Sequence, residues 1–96
     1  MSPACYILFS PTLDKFYIGA TSTDIDLRID KHNTAFYGNS KFTSKAKDWE
    51  LFLSLDASDY QHALRIETKI KKMKSKTYIL NLKNYEEMRT LLYNNT

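Results

Sequence analysis

The chain is poor in the residues that interrupt regular structure and in those that cross-link it. Its 96 residues include only two glycines, two prolines and one cysteine. So few glycines and prolines argue against a disordered or low-complexity chain. The one cysteine, Cys5, has no partner for an internal disulfide, which fits the reducing cytoplasm, and in a strand it would serve as a small apolar side chain. We therefore expect a cytoplasmic protein without cross-links.

Long apolar runs are also missing. No segment approaches the roughly 18–20 apolar residues that a helix needs to cross a bilayer. No basic N-terminal region leads into an apolar stretch, as it would in a signal peptide. An apolar fraction of 43% and a charged fraction of 26% are ordinary for a globular protein. The sequence therefore predicts one domain over residues 1–96, with one modest core and no membrane partner.

Positive charge is concentrated in one segment of the chain. The net charge is +3, but the segment from Arg65 to Lys76 alone carries six basic residues against the carboxylate of Glu67. That segment is therefore at +5 and the rest of the chain at −2. Such a patch is typical of a protein that binds a polyanion, although a solvated helix face also produces it.

A second group of lysines lies between Thr34 and Lys47, a segment that is predicted to be a loop because it contains Gly38-Asn39-Ser40. Three lysines in this segment are interleaved with aromatic residues: Lys41, Lys45 and Lys47 with Phe36, Tyr37 and Phe42. Aromatic side chains between lysines suit base stacking combined with phosphate neutralisation. They equally suit a loop that is pinned to the domain, and the sequence leaves both interpretations open.

Two short segments near the N-terminus predict a β-hairpin. The residues of Ala4–Ser10 and Phe16–Thr21 are aromatic, β-branched and apolar, and a turn-rich stretch that begins at Pro11 separates them. Alternate residues of a strand share a face, so a hairpin can bring Tyr6 and Tyr17 to one surface. Burial of both tyrosines in an ordinary core is the simpler interpretation of the hairpin alone.

The next segments predict a helix and a third strand. Thr23 or Asp24 can cap a helix over Asp24–Asn33. Ile25 and Ile29 would lie on one flank of that helix and Leu27 on the other, with the polar pair Arg28 and His32 on a stripe between them. Apolar residues then alternate over Trp49–Leu55, as they do in a strand with one buried face. Phe52 breaks this alternation, which suggests that both faces of the strand are buried.

A second helix carries the basic segment. Ser58 begins it, with Gln61 as its capping-box partner. Its apolar arc over Tyr60–Met73 includes Glu67, a carboxylate that is costly to bury unless it is paired or binds a metal. An ion pair with Lys71, four residues on, is the simpler explanation.

The C-terminal part predicts one short element and one helix. Thr77–Leu82 suits either a helical turn or an edge strand, and an amphipathic helix follows over Asn84–Tyr93. That helix has an apolar stripe formed by Tyr85, Met88, Leu91 and Leu92. We expect an α+β fold in the order β-β-α-β-α-α, with a small three-stranded mixed or antiparallel sheet.

These placements together supply the parts of a hydrolytic phosphodiesterase centre. Such a centre needs a carboxylate for a hard metal ion, a base for the attacking water and a cation for the developing negative charge. Glu67 is such a carboxylate, the tyrosines are candidate bases, and the Arg28/His32 pair can supply such a cation. Glu67 is the one credible metal carboxylate, which argues against a two-metal site.

The motifs that carry these residues resemble the GIY-YIG nucleases, above all the short stand-alone bacterial members. The resemblance covers roughly residues 4–82, and Cys5 stands where the family usually has glycine. It continues in order through Cys5-Tyr6-Ile7, Tyr17-Ile18-Gly19, Leu27–Asn33, Lys41-Phe42-Thr43, Ala63, Glu67 and Ile70-Lys71-Lys72.

The resemblance implies a Mg²⁺- or Mn²⁺-dependent endonuclease that uses a single ion and acts on DNA. By position, Glu67 is the metal ligand and Arg28 stabilises the pentavalent phosphate. Tyr6 and Tyr17 lie against the attacking water, one of them as general base or as its orienter. His32 assists or contacts phosphate.

The resemblance also implies positions that complete the site, and the two basic segments described above supply the lysines expected to contact DNA. Gly19 and Asn81 are further site candidates, although Asn84 competes with Asn81 for the same position. The expected DNA-binding lysines are Lys41, Lys45, Lys69, Lys71 and Lys72.

Two alternatives to a structure-selective nuclease of repair or recombination stay open. Ala20 follows Tyr17-Ile18-Gly19 where some relatives have a basic residue, which permits a catalytically silent nucleic-acid-binding module. The stripe of the last helix permits a protein-interaction domain, although it can equally close the core. The sequence also leaves a homodimer open.

Overall fold

The computed structural model describes residues 3–22, 25, 26, 29, 33 and 46–96 of the chain. Within these residues the elements are β1 (Ala4–Ser10), β2 (Lys15–Thr21), β3 (Glu50–Asp56), α1 (Tyr60–Met73), α2 (Lys76–Asn84) and α3 (Glu86–Asn94). Between β2 and β3, Ile25, Asp26, Ile29 and Asn33 are helical, where the predicted order has its first helix. The α+β class is confirmed.

The three strands form one antiparallel sheet with β1 in the centre. The strand order is β2-β1-β3, and β1 pairs antiparallel with both neighbours. The predicted hairpin is confirmed, with β2 beginning one residue earlier than expected, at Lys15. Its register places Tyr6 opposite Gly19 and Leu8 opposite Tyr17.

The hairpin turn is fixed by a carboxylate from a distant part of the chain. Asp48 accepts hydrogen bonds from the Ser10 hydroxyl at 2.6 Å, the Thr12 hydroxyl at 2.7 Å and the Thr12 N–H at 2.9 Å. Asp14 ends the turn with a φ of 52°, a left-handed conformation that aspartate adopts more readily than most residues. The segment that leads into β3 is therefore tied to the hairpin before the strand begins.

Strand β3 carries a bulge that explains its broken alternation. Ile7 pairs with Leu53 and Leu8 with Leu51, so Phe52 has no partner on β1. An extra residue turns the following side chains over, and Phe52 and Leu53 both pack against the same core. Leu51 is left 44% exposed, so the prediction that this strand is covered on both sides is wrong.

The sheet separates two apolar clusters. The first lies between the sheet and the three helices and contains Cys5, Ile7, Leu55, Ile66, Ile70, Ile79, Leu82 and Leu92. The second lies on the opposite face and contains Tyr6, Leu8, Ala46 and Trp49, with Leu13, Tyr17, Ile25 and Ile29 packed against them. The predicted apolar flank of Ile25 and Ile29 is thus directed at the sheet.

Helix α1 has the predicted extent but not the predicted cap. Asp59, not Ser58, is the N-cap, because its carboxylate accepts a hydrogen bond from the His62 N–H at 2.7 Å. The N–H of Ser58 instead donates to Nδ1 of the buried His62 at 3.0 Å. Gln61 therefore has no capping-box role. The helix ends at Met73, and its C-cap is Lys74, which has a left-handed φ of 48°.

The C-terminal elements differ from the sequence expectation at their boundary. Residues 77–82 belong to a full helix, α2, which Ser75 caps. Asn84 ends α2 and does not begin the last helix, because Tyr85 is extended and separates the two. The expected helix over 84–93 is therefore α3, at Glu86–Asn94.

The apolar stripe of α3 closes the core only in part. Leu92 is buried and Met88 packs against the core, whereas Tyr85 and Leu91 are 58% and 59% exposed. The neighbouring helix α2 contributes Lys83, whose Nζ donates to the Phe52 carbonyl at 3.2 Å and lies 4.4 Å from the centre of the Phe52 ring.

In the described part of the chain, no helix is long and apolar enough to cross a membrane.

Candidate active site

The two tyrosines predicted to act together lie side by side on one face of the sheet. The ring centres of Tyr6 and Tyr17 are 6.5 Å apart, with an angle of 41° between the ring planes. Tyr6 is fully buried and Tyr17 is half-buried. Tyr17 is therefore the phenol of the pair with more access to solvent.

Gly19 provides the space for the Tyr6 ring. A Cβ atom built at Gly19 would lie 2.5 Å from both Cζ and Oη of Tyr6, which is far inside van der Waals contact. The pairing of Tyr6 with Gly19 across the hairpin produces this approach. Gly19 thus has a structural reason to be glycine that does not depend on its own backbone conformation.

Cys5 and Ala20 lie opposite each other on the other face of the sheet. They are paired across the hairpin, and Cys5 belongs to the cluster beneath the helices. The pKa of the Cys5 thiol is raised to about 12, mainly by burial and also by the nearby negative charge of Glu67, whose effect Lys71 opposes. Cys5 therefore points away from the phenols, as the hairpin alternation requires.

Glu67 lies on α1, the helix that covers the Cys5 face of the sheet. Its side chain is 17% exposed and its Oε2 forms an ion pair with Nζ of Lys71 at 3.0 Å. The side chain of Lys71 is 53% exposed. The pair with Lys71 that the sequence offered as the simpler explanation is therefore present, and the carboxylate lies at the margin of the buried arc.

The described donor set suits a sparsely bound hard cation rather than a closed metal cage. Among residues 3–22, 25, 26, 29, 33 and 46–96, no group of three or more His, Cys, Asp or Glu side chains is placed to hold a metal ion. Mg²⁺ usually keeps several waters and takes one or two carboxylates from a protein. The single, partly exposed carboxylate of Glu67 fits that mode of binding.

Several predicted site residues lie outside the described residues: Arg28, His32, Lys41 and Lys45. Asn81 is described, on α2, where it is partly buried and its carbonyl accepts from the Tyr85 N–H at 2.9 Å. Asn84 is exposed at the end of the same helix.

The basic residues of α1 divide into two groups. Arg65, Lys69 and Lys72 are exposed and fall within about 60° of one another on a helix that turns 100° per residue. Together with Gln61, Leu64, Thr68 and Thr96 they line a groove of about 450 Å³. Lys71 instead belongs to the Glu67 ion pair.

Two polar contacts beside the tyrosines do not follow from any sequence pattern. The side-chain amide of Asn33 binds the backbone of Trp49, and Asp48 binds the hairpin turn. The partners in these contacts are 16 to 38 residues apart in the chain. Sequence spacing therefore does not identify which residues bind Asp48 and Trp49.

A comparison with protein families places this small α+β domain among nuclease catalytic domains. Residues 2–84 match the family model described as GIY-YIG catalytic domain. The chain belongs to the GIY-YIG nuclease family. Comparisons with curated proteins and with solved structures gave no match.

Proposed function

We propose that this protein is a cytoplasmic, metal-dependent DNA endonuclease that hydrolyses phosphodiester bonds. The observation that carries the proposal is the Tyr6/Tyr17 pair, with ring centres 6.5 Å apart, in a chain that belongs to the GIY-YIG family. Branched or flapped DNA, as formed in repair and recombination, is the proposed substrate.

Each candidate residue has a role that its chemistry allows. Glu67 would hold a single Mg²⁺ or Mn²⁺, which when bound supplies a Lewis acid for the phosphate oxygens. Arg28 would neutralise the charge that develops on the phosphate, and His32 would assist or contact phosphate. Of the two phenols, Tyr17 is the more exposed, which supports it as the one nearer the attacking water.

The position of β2 allows residues from both faces of the sheet to serve one phosphate. Among the described strands β2 lies at an edge of the sheet, and α1 packs across β2 and β1. A DNA backbone lying along that edge would meet Tyr17 from one side and α1 from the other. Release of Glu67 from the exposed Lys71 would then free its carboxylate for the metal ion.

DNA affinity is assigned to the lysines. Lys69 and Lys72 are exposed with Arg65 on the outer side of α1, and Lys41, Lys45 and Lys71 are the other expected contacts. Phosphate contacts carry little sequence information. We therefore expect low intrinsic sequence specificity and an affinity that falls steeply with salt.

The test is cleavage of linear, branched and flapped DNA with Mg²⁺ or Mn²⁺ by the wild-type protein, Glu67→Ala and Arg28→Ala. We expect each substitution to abolish cleavage, whereas Glu87→Gln, which removes an exposed carboxylate from α3, should retain it. Equal residual cleavage by wild type and both site variants would identify a contaminant and reject the proposal.

A catalytically silent nucleic-acid-binding module is the second candidate. The observation that favours it is the ion pair of Glu67 with Lys71, which occupies the proposed metal carboxylate. Titration with Mn²⁺ distinguishes the two functions. A nuclease should bind one Mn²⁺ ion that Glu67→Gln abolishes, whereas a silent module should show no such ion.

A further inference from the structure

Asn33 makes a two-point contact with the backbone of one residue. Its Nδ2 donates to the Trp49 carbonyl at 2.9 Å, and its Oδ1 accepts from the Trp49 N–H at 2.7 Å. A side-chain amide carries the same donor and acceptor as a peptide group. Asn33 therefore binds Trp49 as a neighbouring strand would.

The place of this contact in the fold explains why it is needed. The ladder between β1 and β3 runs from Asp56 to Glu50, which pairs with Phe9. Trp49 comes directly before it, and its backbone groups lie in a partly buried environment. Buried backbone groups are costly if unsatisfied. Asn33 supplies a partner for each of these two groups.

Trp49 in turn packs against one of the two phenols. Its side chain is 3% exposed, and its indole lies edge-on to the Tyr17 ring with 6.3 Å between ring centres. Tyr17 then contacts Tyr6. A continuous path of contacts therefore leads from Asn33 through Trp49 to the phenol pair.

The neighbouring residue has an anchor of its own. Asp48 is bound to Ser10 and Thr12 by three hydrogen bonds, independently of Asn33. Loss of the Asn33 contact should therefore leave the segment attached to the hairpin. The change should be confined to the orientation of the indole and of the ring that it touches.

From these contacts we infer that Asn33 is a positioning residue, which holds the Trp49 backbone so that the indole fixes the Tyr17 phenol. The inference rests on the proposed function for its catalytic consequence. Its structural part does not depend on that function and is measurable without DNA.

Trp49 is the one tryptophan of the chain, so its fluorescence reports on the contact directly. In Asn33→Ala we expect a red-shifted emission and stronger acrylamide quenching, with an unchanged far-UV circular dichroism spectrum. The ¹³C-edited resonance of the Tyr17 ring, assigned with Tyr17→Phe, should also move because the indole ring current moves. Asn94→Ala, an exposed asparagine at the end of α3, is the matched control and should change neither signal.

The kinetic part distinguishes positioning from binding. We expect kcat to fall about tenfold or more in Asn33→Ala with KM nearly unchanged, because oriented groups act in the transition state. Asn33→Asp keeps the acceptor for the Trp49 N–H but loses the donor, so it should be intermediate. The fold-losses in kcat caused by Trp49→Phe and by Asn33→Ala should not multiply in the double variant, because both substitutions interrupt the same path.

Two results would overturn the inference. One is an unchanged indole emission and Tyr17 resonance in a folded Asn33→Ala protein. The other is a multiplicative effect of Asn33→Ala and Trp49→Phe on kcat. If wild-type protein cleaves no better than Glu67→Ala, the proposed function fails, and the two spectroscopic signals still decide whether Asn33 positions Tyr17.

Discussion

The ring of Tyr6 occupies the space that a side chain at Gly19 would fill. The two residues are paired across the hairpin, and Cζ and Oη of Tyr6 lie 2.5 Å from the position of a Gly19 Cβ. Tyr6 is fully buried, so its ring cannot swing into solvent to relieve an overlap. The position of one candidate catalytic phenol therefore depends on the absence of a side chain on the neighbouring strand.

Gly19→Ala should destabilise the protein and disturb the phenol pair. Overpacking of a core typically costs about 1–3 kcal/mol, and we expect a loss in this range from urea denaturation, with a large loss of cleavage. Tyr6→Leu makes room for the new methyl group, so the double variant should be more stable than the sum of the single effects predicts. Additive losses would contradict the proposed overlap.

Cys5 should be inert to thiol reagents in the native protein. Its side chain is fully buried, and burial raises its pKa to about 12, so almost no reactive thiolate exists near pH 8. Labelling by a chromogenic thiol reagent should therefore follow the rate of unfolding. The same reagent in denaturant should modify one thiol per chain at once, and equally fast modification without denaturant would contradict the prediction.

Asp48 should make stability depend on acid pH. Hydrogen bonds from the Ser10 and Thr12 hydroxyls and the Thr12 N–H lower the pKa of its carboxyl group in the folded protein. Its contribution is then complete above the pKa of the unfolded chain, about 3.9, and is lost as the pH falls through the folded pKa.

Thermal melts between about pH 2 and pH 7 measure this dependence. Asp48→Asn should lower the melting temperature near neutral pH. It should also reduce the fall of the melting temperature between neutral and acid pH. Thr12→Val removes one hydroxyl donor and should give an intermediate change. A fall in Asp48→Asn as steep as that of the wild type would show that other groups cause it.

The outer side of α1 should contribute to DNA binding through phosphate contacts. Each lost contact lowers the slope of log affinity against log salt by about 0.9 on duplex DNA, so Lys69→Gln with Lys72→Gln should lower it by about 2. The control is Lys74→Gln with Lys83→Gln, which removes the same charge elsewhere. Equal slopes for both double variants would assign the effect to net charge rather than to this face.

Local patterns predicted the parts of the fold that local chemistry determines. The hairpin follows from alternation and a turn-rich connection, and α1 follows from its periodicity, so the predicted and observed bounds agree closely. The prediction that Ser58 begins α1 is wrong because serine and aspartate are both favourable N-cap residues, and Asp59 follows directly. The hydrogen bond from the His62 N–H to the Asp59 carboxylate assigns the role to Asp59.

The remaining differences arise from contacts between distant residues. The bulge at Phe52 exists because β3 must pair with β1 while packing both Phe52 and Leu53 on one core, which alternation cannot anticipate. The pairing of the two tyrosines was predictable because both lie on one hairpin. The Asn33–Trp49 contact joins segments whose closeness depends on the whole fold.

The contact of Lys83 with Phe52 has a consequence for how copies of this protein meet. β3 lies at one edge of the sheet that the described residues form, and exposed edges are templates on which a foreign strand can add. Here the ammonium group of Lys83 occupies the Phe52 carbonyl at the point where the bulge bends the strand. The hydrogen bond from Lys83 and the bulge lie at the same position of β3. An incoming chain therefore does not meet the flat, unpaired backbone that strand addition at this edge would require.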